Sequence, residues 1–302
     1  MFKRILVPLD GSELAEKALP FTLLLAKELT ATLVLFHVVE KSAPTEIHGQ
    51  YHIRDVEEAR QYLDKVSHRF AQERMQFEQD IHEVQEMGVA QTICSHAKEL
   101  NADMVVLTAH GNGGLRDIFL GSIAQQVIRQ GETPVLFIRP EMVFSDKTQK
   151  VQKILVPLDG SKEHEGSLSV AAFLAEKMDS KVELITVIPS LDTLPVKEIL
   201  TSRVSPRLTK VALRNYANQA ENYLKTCIEA LVKKDIKTSA SVLQGNVPVK
   251  IAEIIQSKEI DLVVMATHGH SSIDANWIGS LTPQFLQLTK VPVMLVNGSG
   301  CD

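Results

Sequence analysis

Short apolar runs that end in turn residues alternate along the chain with amphipathic segments. Apolar runs of this length, bounded by turn residues, are typical of strands buried on both faces of a parallel sheet. Segments in which apolar residues return every three or four positions predict helices. In the first 140 residues the predicted strands are 3–10, Thr32–Val39, Gln76–Val84, Asp103–Thr108 and Val135–Arg139. The predicted helices are 13–30, Asp55–Arg74, 89–100 and a segment that starts at Ser122.

Two features interrupt this alternation. Pro20 lies inside the first predicted helix, where we expect a kink in one helix rather than two helices. Residues 41–53 follow neither period and are predicted to form a loop. The order of strands and helices predicts a five-stranded parallel sheet with right-handed crossovers and helices on both faces.

The pattern then starts again. Lys153–Ser161 repeats Arg4–Ser12 with one Lys-for-Arg exchange, and Asp261–Gly269 resembles Asp103–Gly111. The offset between the halves grows from 149 to 158, so the second half has gained nine residues, which we place around Pro189–Arg214. The sequence therefore predicts a tandem α/β protein.

We expect two domains, residues 1–143 and 150–302, each with a Rossmann-like fold. The polar stretch Pro140–Lys150 is the predicted linker.

Composition and charge argue against several classes of protein. The 302 residues are 44% hydrophobic and 23% charged, with a net charge of −5, which argues against a nucleic-acid or anionic-membrane binder. The three cysteines form no CxxC pair, and no apolar segment approaches the ~18–20 residues of a membrane span. We expect a cytoplasmic protein without membrane or nucleic-acid partners.

A glycine loop follows the fourth predicted strand of each half. Gly111 is followed after nine residues by Gly121-Ser122, and Gly269 after nine residues by Gly279-Ser280. Glycine lets the backbone approach a ligand, and the free N–H groups of a helix N-terminus favour an anion such as phosphate. Neither loop is a Walker or a Rossmann fingerprint. The alternative is that they are two helix caps with flexible loops.

A carboxylate follows the first strand of each half, at Asp10 and Asp159. Ligands of open parallel sheets bind at the carboxyl ends of the strands, where an Asp can accept hydrogen bonds from a base or a ribose. The alternative is that Asp-Gly-Ser forms only a turn and a helix cap.

Together the Val-Pro-Leu-Asp-Gly-Ser strand end, the His-Gly turn and the Gly-x9-Gly-Ser loop resemble the universal stress protein family, over both halves. The fold this implies is adenine nucleotide alpha-hydrolase-like, and the ATP-binding branch implies an ATP site, with Mg²⁺ where the phosphates bind. In the first half the implied site residues are Pro8, Leu9, Asp10, Val38, Leu107, Thr108, Gly111, Gly121, Ser122 and Ile123. In the second half they are Pro157, Leu158, Asp159, Val187, Met265, Ala266, Gly269, Gly279, Ser280 and Leu281.

The two halves depart from the family motif to different extents. Thr108 and Ala266 stand where the motif has its first glycine. Pro283 removes an N–H group from the second loop, whereas Arg116 in the first loop offers a phosphate partner. We therefore rank the first half as the better nucleotide site.

The sequence offers no catalytic or metal-binding set of residues. His110 and His268 lie beside the loop glycines, but no nucleophile or metal cluster accompanies either one. We expect a stress-response protein that binds an adenine nucleotide as a non-catalytic sensor or adaptor for an unknown protein partner. The alternatives are a nucleotide-free scaffold and a slow ATPase.

The family resemblance also implies pairing through the last strands. In a tandem chain Val135–Arg139 and Val293–Val296 would pair within one molecule as a pseudo-dimer. A homodimer is a further expectation.

Overall fold

The structure is a computed structural model, and the chain divides into two units, Met1–Lys150 and Val151–Asp302, called here the first half and the second half. The residues that it describes are 1–40, 46–47, 50–71, 75–84, 88–108, 122–130, 132–140, 150–161, 165–193, 206–267, 285–286 and 288–297.

The first half contains seven strands and five helices within the described ranges. The strands are β1 (Arg4–Pro8), β2 (Thr32–Glu40), β3 (Glu46–Ile47), β4 (Gln50–Tyr51), β5 (Phe77–Val84), β6 (Met104–Thr108) and β7 (Val135–Ile138). The helices are α1 (Glu13–Glu16), α2 (Leu19–Leu29), α3 (Val56–Arg69), α4 (Val89–Glu99) and α5 (Ser122–Gln130).

The described residues of the second half form five strands and three helices, one of them much longer than its counterpart in the first half. Its strands are β8 (Lys153–Pro157), β9 (Lys181–Ile188), β10 (Thr238–Gln244), β11 (Leu262–Thr267) and β12 (Val293–Asn297). Its helices are α6 (Glu165–Met178), α7 (Pro206–Val232) and α8 (Val247–Ser257). Helix α7 has 27 residues and its counterpart α3 has 14, so additional residues enter the second half at the start of this helix.

Each half is built on a five-stranded parallel sheet, which confirms the predicted α/β fold. The strand order is β5-β2-β1-β6-β7 in the first half and β10-β9-β8-β11-β12 in the second half. The chain passes from β1 outward to β2 and β5, then crosses to β6 on the other side. This reversal places the carboxyl ends of the central strands at the topological switch point, where ligands bind in open sheets.

The central strands are buried because both faces of the sheet are covered. Ile5, Leu6 and Val7 in β1 and Ile154, Leu155 and Val156 in β8 are at most 1% exposed. At the opposite, amino end of the sheet, Asp103 accepts hydrogen bonds from the backbone N–H groups of Lys3 and Arg4, at 2.6 and 3.0 Å. Asp261 does the same for Gln152 and Lys153, at 2.8 and 2.9 Å. These repeated carboxylates therefore join strands and lie at the end of the sheet away from the expected site.

Two predicted elements differ from the structure. The predicted helix 13–30 is two helices, because Pro20 occupies the first turn of α2, where its missing N–H group costs nothing. The prediction of one kinked helix was therefore wrong. The predicted loop 41–53 includes two short antiparallel strands, β3 and β4, which pair Glu46 with Tyr51 and Ile47 with Gln50. Strands of two residues leave no period in the sequence.

Within the ranges given above, no helix combines the length and apolar character needed to cross a membrane.

Candidate functional site

The Asp-Gly-Ser segment forms the same turn in both halves. In the first half Asp10 Oδ1 accepts a hydrogen bond from the Ser12 N–H group at 2.9 Å, and Ser12 Oγ caps α1 by accepting from the Ala15 N–H group at 3.1 Å. In the second half Asp159 Oδ1 accepts from the Ser161 N–H group at 2.9 Å. The turn and cap expected as the alternative role are thus present, and they fix each carboxylate at the end of its strand.

A glycine with a left-handed backbone follows each of these carboxylates. The φ angles of Gly11 and Gly160 are +89° and +88°, a conformation that side chains with a Cβ rarely adopt. Each first strand stays hydrogen-bonded to its neighbour just past its own last residue. The Leu9 N–H group, after β1, donates to the Phe36 carbonyl in β2, and the Leu158 N–H group, after β8, donates to the Ile185 carbonyl in β9, both at 2.8 Å. Both halves therefore present the same backbone to the space above the sheet.

In the second half this backbone borders a cavity of about 380 Å³, which we call the second-half cavity. It lies at the carboxyl ends of β8 and β9, beneath α7. Its volume falls in the range of small-molecule sites, about 300–1,000 Å³. Its lining residues are Pro157, Leu158, Asp159, Gly160, Ile185, Thr186, Val187, Ile188, Pro189, Tyr216, Gln219, Ala220, Tyr223 and Val247.

Thr186 gives the cavity a buried polar group. The residue is 6% exposed, and its Oγ1 atom has no hydrogen-bond partner among the described residues. A buried hydroxyl left without a partner costs about 1–3 kcal/mol, so such groups are generally matched by a ligand, a water or another side chain. Thr186 therefore places an unmatched hydroxyl group in the wall of the cavity.

The remaining lining residues suit a flat, mostly uncharged molecule. Among the described residues of the lining, Asp159 is the one side chain that is charged at neutral pH. Gln219 adds an amide that both donates and accepts, and two tyrosines add aromatic surface. Tyr216, Gln219, Ala220 and Tyr223 follow one another at helical spacing and form one face of α7.

At the corresponding turn of the first half, a buried side chain lies against the glycine. A Cβ built on Gly11 would come within 2.9 Å of Ile53 Cδ1, and Ile53 is 6% exposed. His37 lies beside it, 1% exposed, with Nδ1 2.6 Å from the Leu9 carbonyl oxygen. Burial lowers the pKa of His37 below its usual range, against the opposing effect of the Leu9 and Ile53 backbone. The nearby His52 lowers this pKa further, and Asp10 raises it. His37 is therefore neutral, and its Nδ1–H group donates to Leu9.

The predicted residues of the second half are brought together only in part. Pro157, Leu158, Asp159 and Val187 line the cavity. Met265 and Ala266 are buried in β11, 3% and 4% exposed, outside its lining.

The predicted residues of the first half lie at the carboxyl ends of three strands and at the start of a helix. Pro8 ends β1 and is followed by Leu9 and Asp10. Val38 is in β2, and Leu107 and Thr108 end β6. Ser122 and Ile123 begin α5, and Ile123 is 42% exposed. The loop glycines Gly111, Gly121, Gly269 and Gly279, with Ser280, Leu281 and both loop histidines, lie outside the described residues.

Ten of the fourteen lining residues were not predicted from the sequence as site residues, among them the polar side chains of Thr186, Tyr216, Gln219 and Tyr223. The last three carried a signal, since their spacing with Ala220 places them on one helical face. Thr186 carried none, because it lies inside an apolar strand and its role depends on the helix above it.

The described part of the chain contains no cluster of three or more His, Cys, Asp or Glu side chains that could hold a metal ion. Cys227 is buried and Cys94 is half-buried, and burial raises the pKa of the Cys94 thiol. A thiol with a raised pKa is a poor nucleophile at neutral pH.

Comparison with known proteins agrees with the duplicated fold. A tandem relative from Synechocystis sp., universal stress protein Slr1230, is 24% identical over 313 residues, which cover 97% of this chain and 99% of the relative. Universal stress protein YxiE of Bacillus subtilis is 29% identical over 153 residues, 46% of this chain and 100% of the relative.

A solved structure of a universal stress protein from Archaeoglobus fulgidus has the same fold along the chain. Its TM-score is 0.71 at 16% identity, over 98% of this chain and 99% of that one. The family model described as "Universal stress protein family" matches this chain twice, at residues 1–139 and 150–297. The chain therefore belongs to the universal stress protein family, as a tandem member.

Proposed function

We propose that this chain binds an adenine nucleotide, ATP, in the second-half cavity and acts as a non-catalytic sensor or adaptor in the stress response. The observation that carries the proposal is the cavity itself, about 380 Å³ at the carboxyl ends of β8 and β9, with the buried hydroxyl of Thr186 in its wall. It lies where parallel sheets of this topology bind ligands.

The lining supports a nucleoside as the part of the ligand that enters. An adenine ring has two flat faces for apolar and aromatic contacts and a polar edge for the Thr186 hydroxyl and the Gln219 amide. A ribose donates hydrogen bonds from its hydroxyl groups, and Asp159 at the strand end accepts them. The phosphates are assigned to the Gly269–Ser280 loop on the strength of its sequence alone.

Binding of ATP with Mg²⁺ to the purified full chain, measured by calorimetry, tests the proposal. Asp159→Ala should weaken binding by about tenfold or more, because a hydrogen bond to a charged group contributes about 1.5–3 kcal/mol. Asp10→Ala is the matched control, since it removes the same turn hydrogen bond at 2.9 Å in the half whose corresponding space holds Ile53. Equal effects of the two variants on affinity would contradict the proposed location.

Thr186→Val separates binding from folding. The methyl group has nearly the shape of the hydroxyl, so the variant should raise the stability of the free protein by removing an unmatched polar group. It should lower ATP affinity about two- to tenfold, the value of one neutral hydrogen bond of about 0.5–1.5 kcal/mol. A wild-type protein that binds no ATP would overturn the proposal in favour of a nucleotide-free scaffold. Steady phosphate release would favour a slow ATPase.

A further inference from the structure

The walls of the second-half cavity have counterparts in the first half, residue by residue. Gly160 corresponds to Gly11 through the repeated strand-end motif. Thr186 corresponds to His37, because the residues just before them, Ile185 and Phe36, pair with the prolines that end β8 and β1. The two halves therefore differ by a histidine and a threonine at one position of the site.

The helices above the sheets correspond in the same way. Buried Ala59 and Leu63 in α3 correspond to buried Ala220 and Leu224 in α7. In this alignment of the two helices, Tyr62 corresponds to Tyr223. Tyr223 lines the second-half cavity. In the first half, Tyr62 packs instead against a cluster of apolar side chains that includes Ile53.

Ile53 lies where the cavity lies in the other half. A Cβ built on Gly11 meets Ile53 Cδ1 at 2.9 Å and Cγ1 at 3.3 Å. A Cβ built on Gly160 meets no described heavy atom within 4 Å apart from its chain neighbours. Equivalent glycines at nearly the same φ angle thus face the Ile53 side chain in one half and no described side chain in the other.

The chain path explains the difference. Helix α3 starts at Val56, so Ile53 belongs to the non-helical segment that leads into it. Helix α7 starts at Pro206 and already includes the corresponding residue, Arg214, which is exposed on its surface. Among the described residues, the counterpart of Ile53 therefore lies on the surface of a helix and not against Gly160.

We infer that Ile53 is a specificity-determining residue that occupies the ligand position of the first half, so that this tandem chain binds one nucleotide, in its second half. The inference rests on the proposed function for the identity of the ligand. For the claim that the first half binds no nucleotide, it rests on the position of Ile53 against Gly11 and on the buried His37 beside them.

Stoichiometry gives the first test. Calorimetry should show one ATP per wild-type chain and two per chain in the double variant Ile53→Ala, His37→Thr, which truncates the side chain over Gly11 and gives the position of His37 the threonine of the second half. Ile53→Val is the matched control, since it keeps most of the side chain and should leave the ratio at one. Two ATP per wild-type chain, or one per chain in the double variant, would overturn the inference while leaving the proposed function standing.

A test without ligand distinguishes failure of the inference from failure of the proposed function. Gly11→Ala and Gly160→Ala introduce the same backbone strain, because the two φ angles differ by one degree. Gly11→Ala should lower the melting temperature more, and Ile53→Ala in its background should reduce that difference. Equal losses from both glycine variants would show that Ile53 does not fill the site, whether or not the second half binds ATP.

Discussion

At the scale of single residues, the position shared by His37 and Thr186 shows how one exchange changes what a site can do. The imidazole of His37 is buried and donates from Nδ1 to the Leu9 carbonyl, and its pKa is lowered chiefly by burial. The groups that act on it are His52, which lowers the pKa further, and Asp10 and the backbone of Leu9 and Ile53, which raise it. The smaller side chain of Thr186 borders a cavity instead.

Because folding lowers the pKa of His37, the first half should lose stability as the pH falls. Below about 6.5 the unfolded chain takes up a proton that the folded chain does not, so unfolding becomes easier towards pH 5. The loss is about 1.4 kcal/mol for each unit by which folding lowers the pKa. Denaturant unfolding at pH 7.5 and 5.5 measures it.

His37→Asn serves as the comparison, since its amide can still donate to the Leu9 carbonyl but does not titrate. The variant should lose less stability than the wild type between these two pH values. The histidines that do not act on His37, among them His82 and His96, remain in both proteins and cancel in the difference. An identical pH dependence in the two proteins would contradict the buried neutral state of His37.

The residue scale also shows which polar positions could be identified from the sequence. Asp10 and Asp159 were predicted at the strand ends, and they lie there. The prediction was possible because the repeated motif contains both the apolar strand and the Asp-Gly-Ser turn that ends it. Asp103 and Asp261 repeat just as clearly but join the strands at the opposite end of each sheet. Repetition therefore indicates that a residue matters to the fold, and only its position in the sheet indicates whether it faces a ligand.

At the scale of elements, the start of a helix decides which half is open. Asp55 accepts hydrogen bonds from the Glu57 and Glu58 N–H groups at 2.8 and 3.2 Å, so α3 begins after it and the two residues before it lie outside the helix. This start holds Ile53 over Gly11. The aperiodic stretch 41–53 predicted neither the short strands nor this contact, because single contacts of a loop leave no pattern in a sequence.

Asp55→Ala should therefore destabilise the first half by about 1 kcal/mol, the usual value of an N-cap side chain. Loss of the cap also frees the segment that carries Ile53. Chemical denaturation measures the change in the free energy of unfolding. Lys65→Ala, an exposed change inside the same helix, is the control and should shift it by no more than a few tenths of a kcal/mol. Equal effects of the two variants would show that the cap does not define the start of α3.

At the scale of the whole molecule, a duplicated sequence has produced two copies of one sheet that differ at the carboxyl ends of their strands. The first half has the Ile53 side chain there, and the second half has a cavity. The sheets follow from short, strongly apolar segments, so the fold was predictable. The ranking of the two sites came from the glycine loops, which lie outside the described residues, and took no account of the space above the strands. That space depends on side chains from distant segments, Ile53 in one half and α7 in the other.

Hydrogen exchange across the whole chain should reveal this asymmetry in one measurement. With ATP and Mg²⁺ at 100 times the dissociation constant, a single site adds about 2.7 kcal/mol to the stability of the half that holds it. Amides of β8, β9 and α7 that exchange only when the second half unfolds should slow by about 100-fold. Amides of β1, β2 and α3 should exchange as they do without ATP, and Asp159→Ala should reduce the protection of the second half. Equal protection of both halves would contradict the single site, because the first half gains stability from ATP only if ATP displaces Ile53.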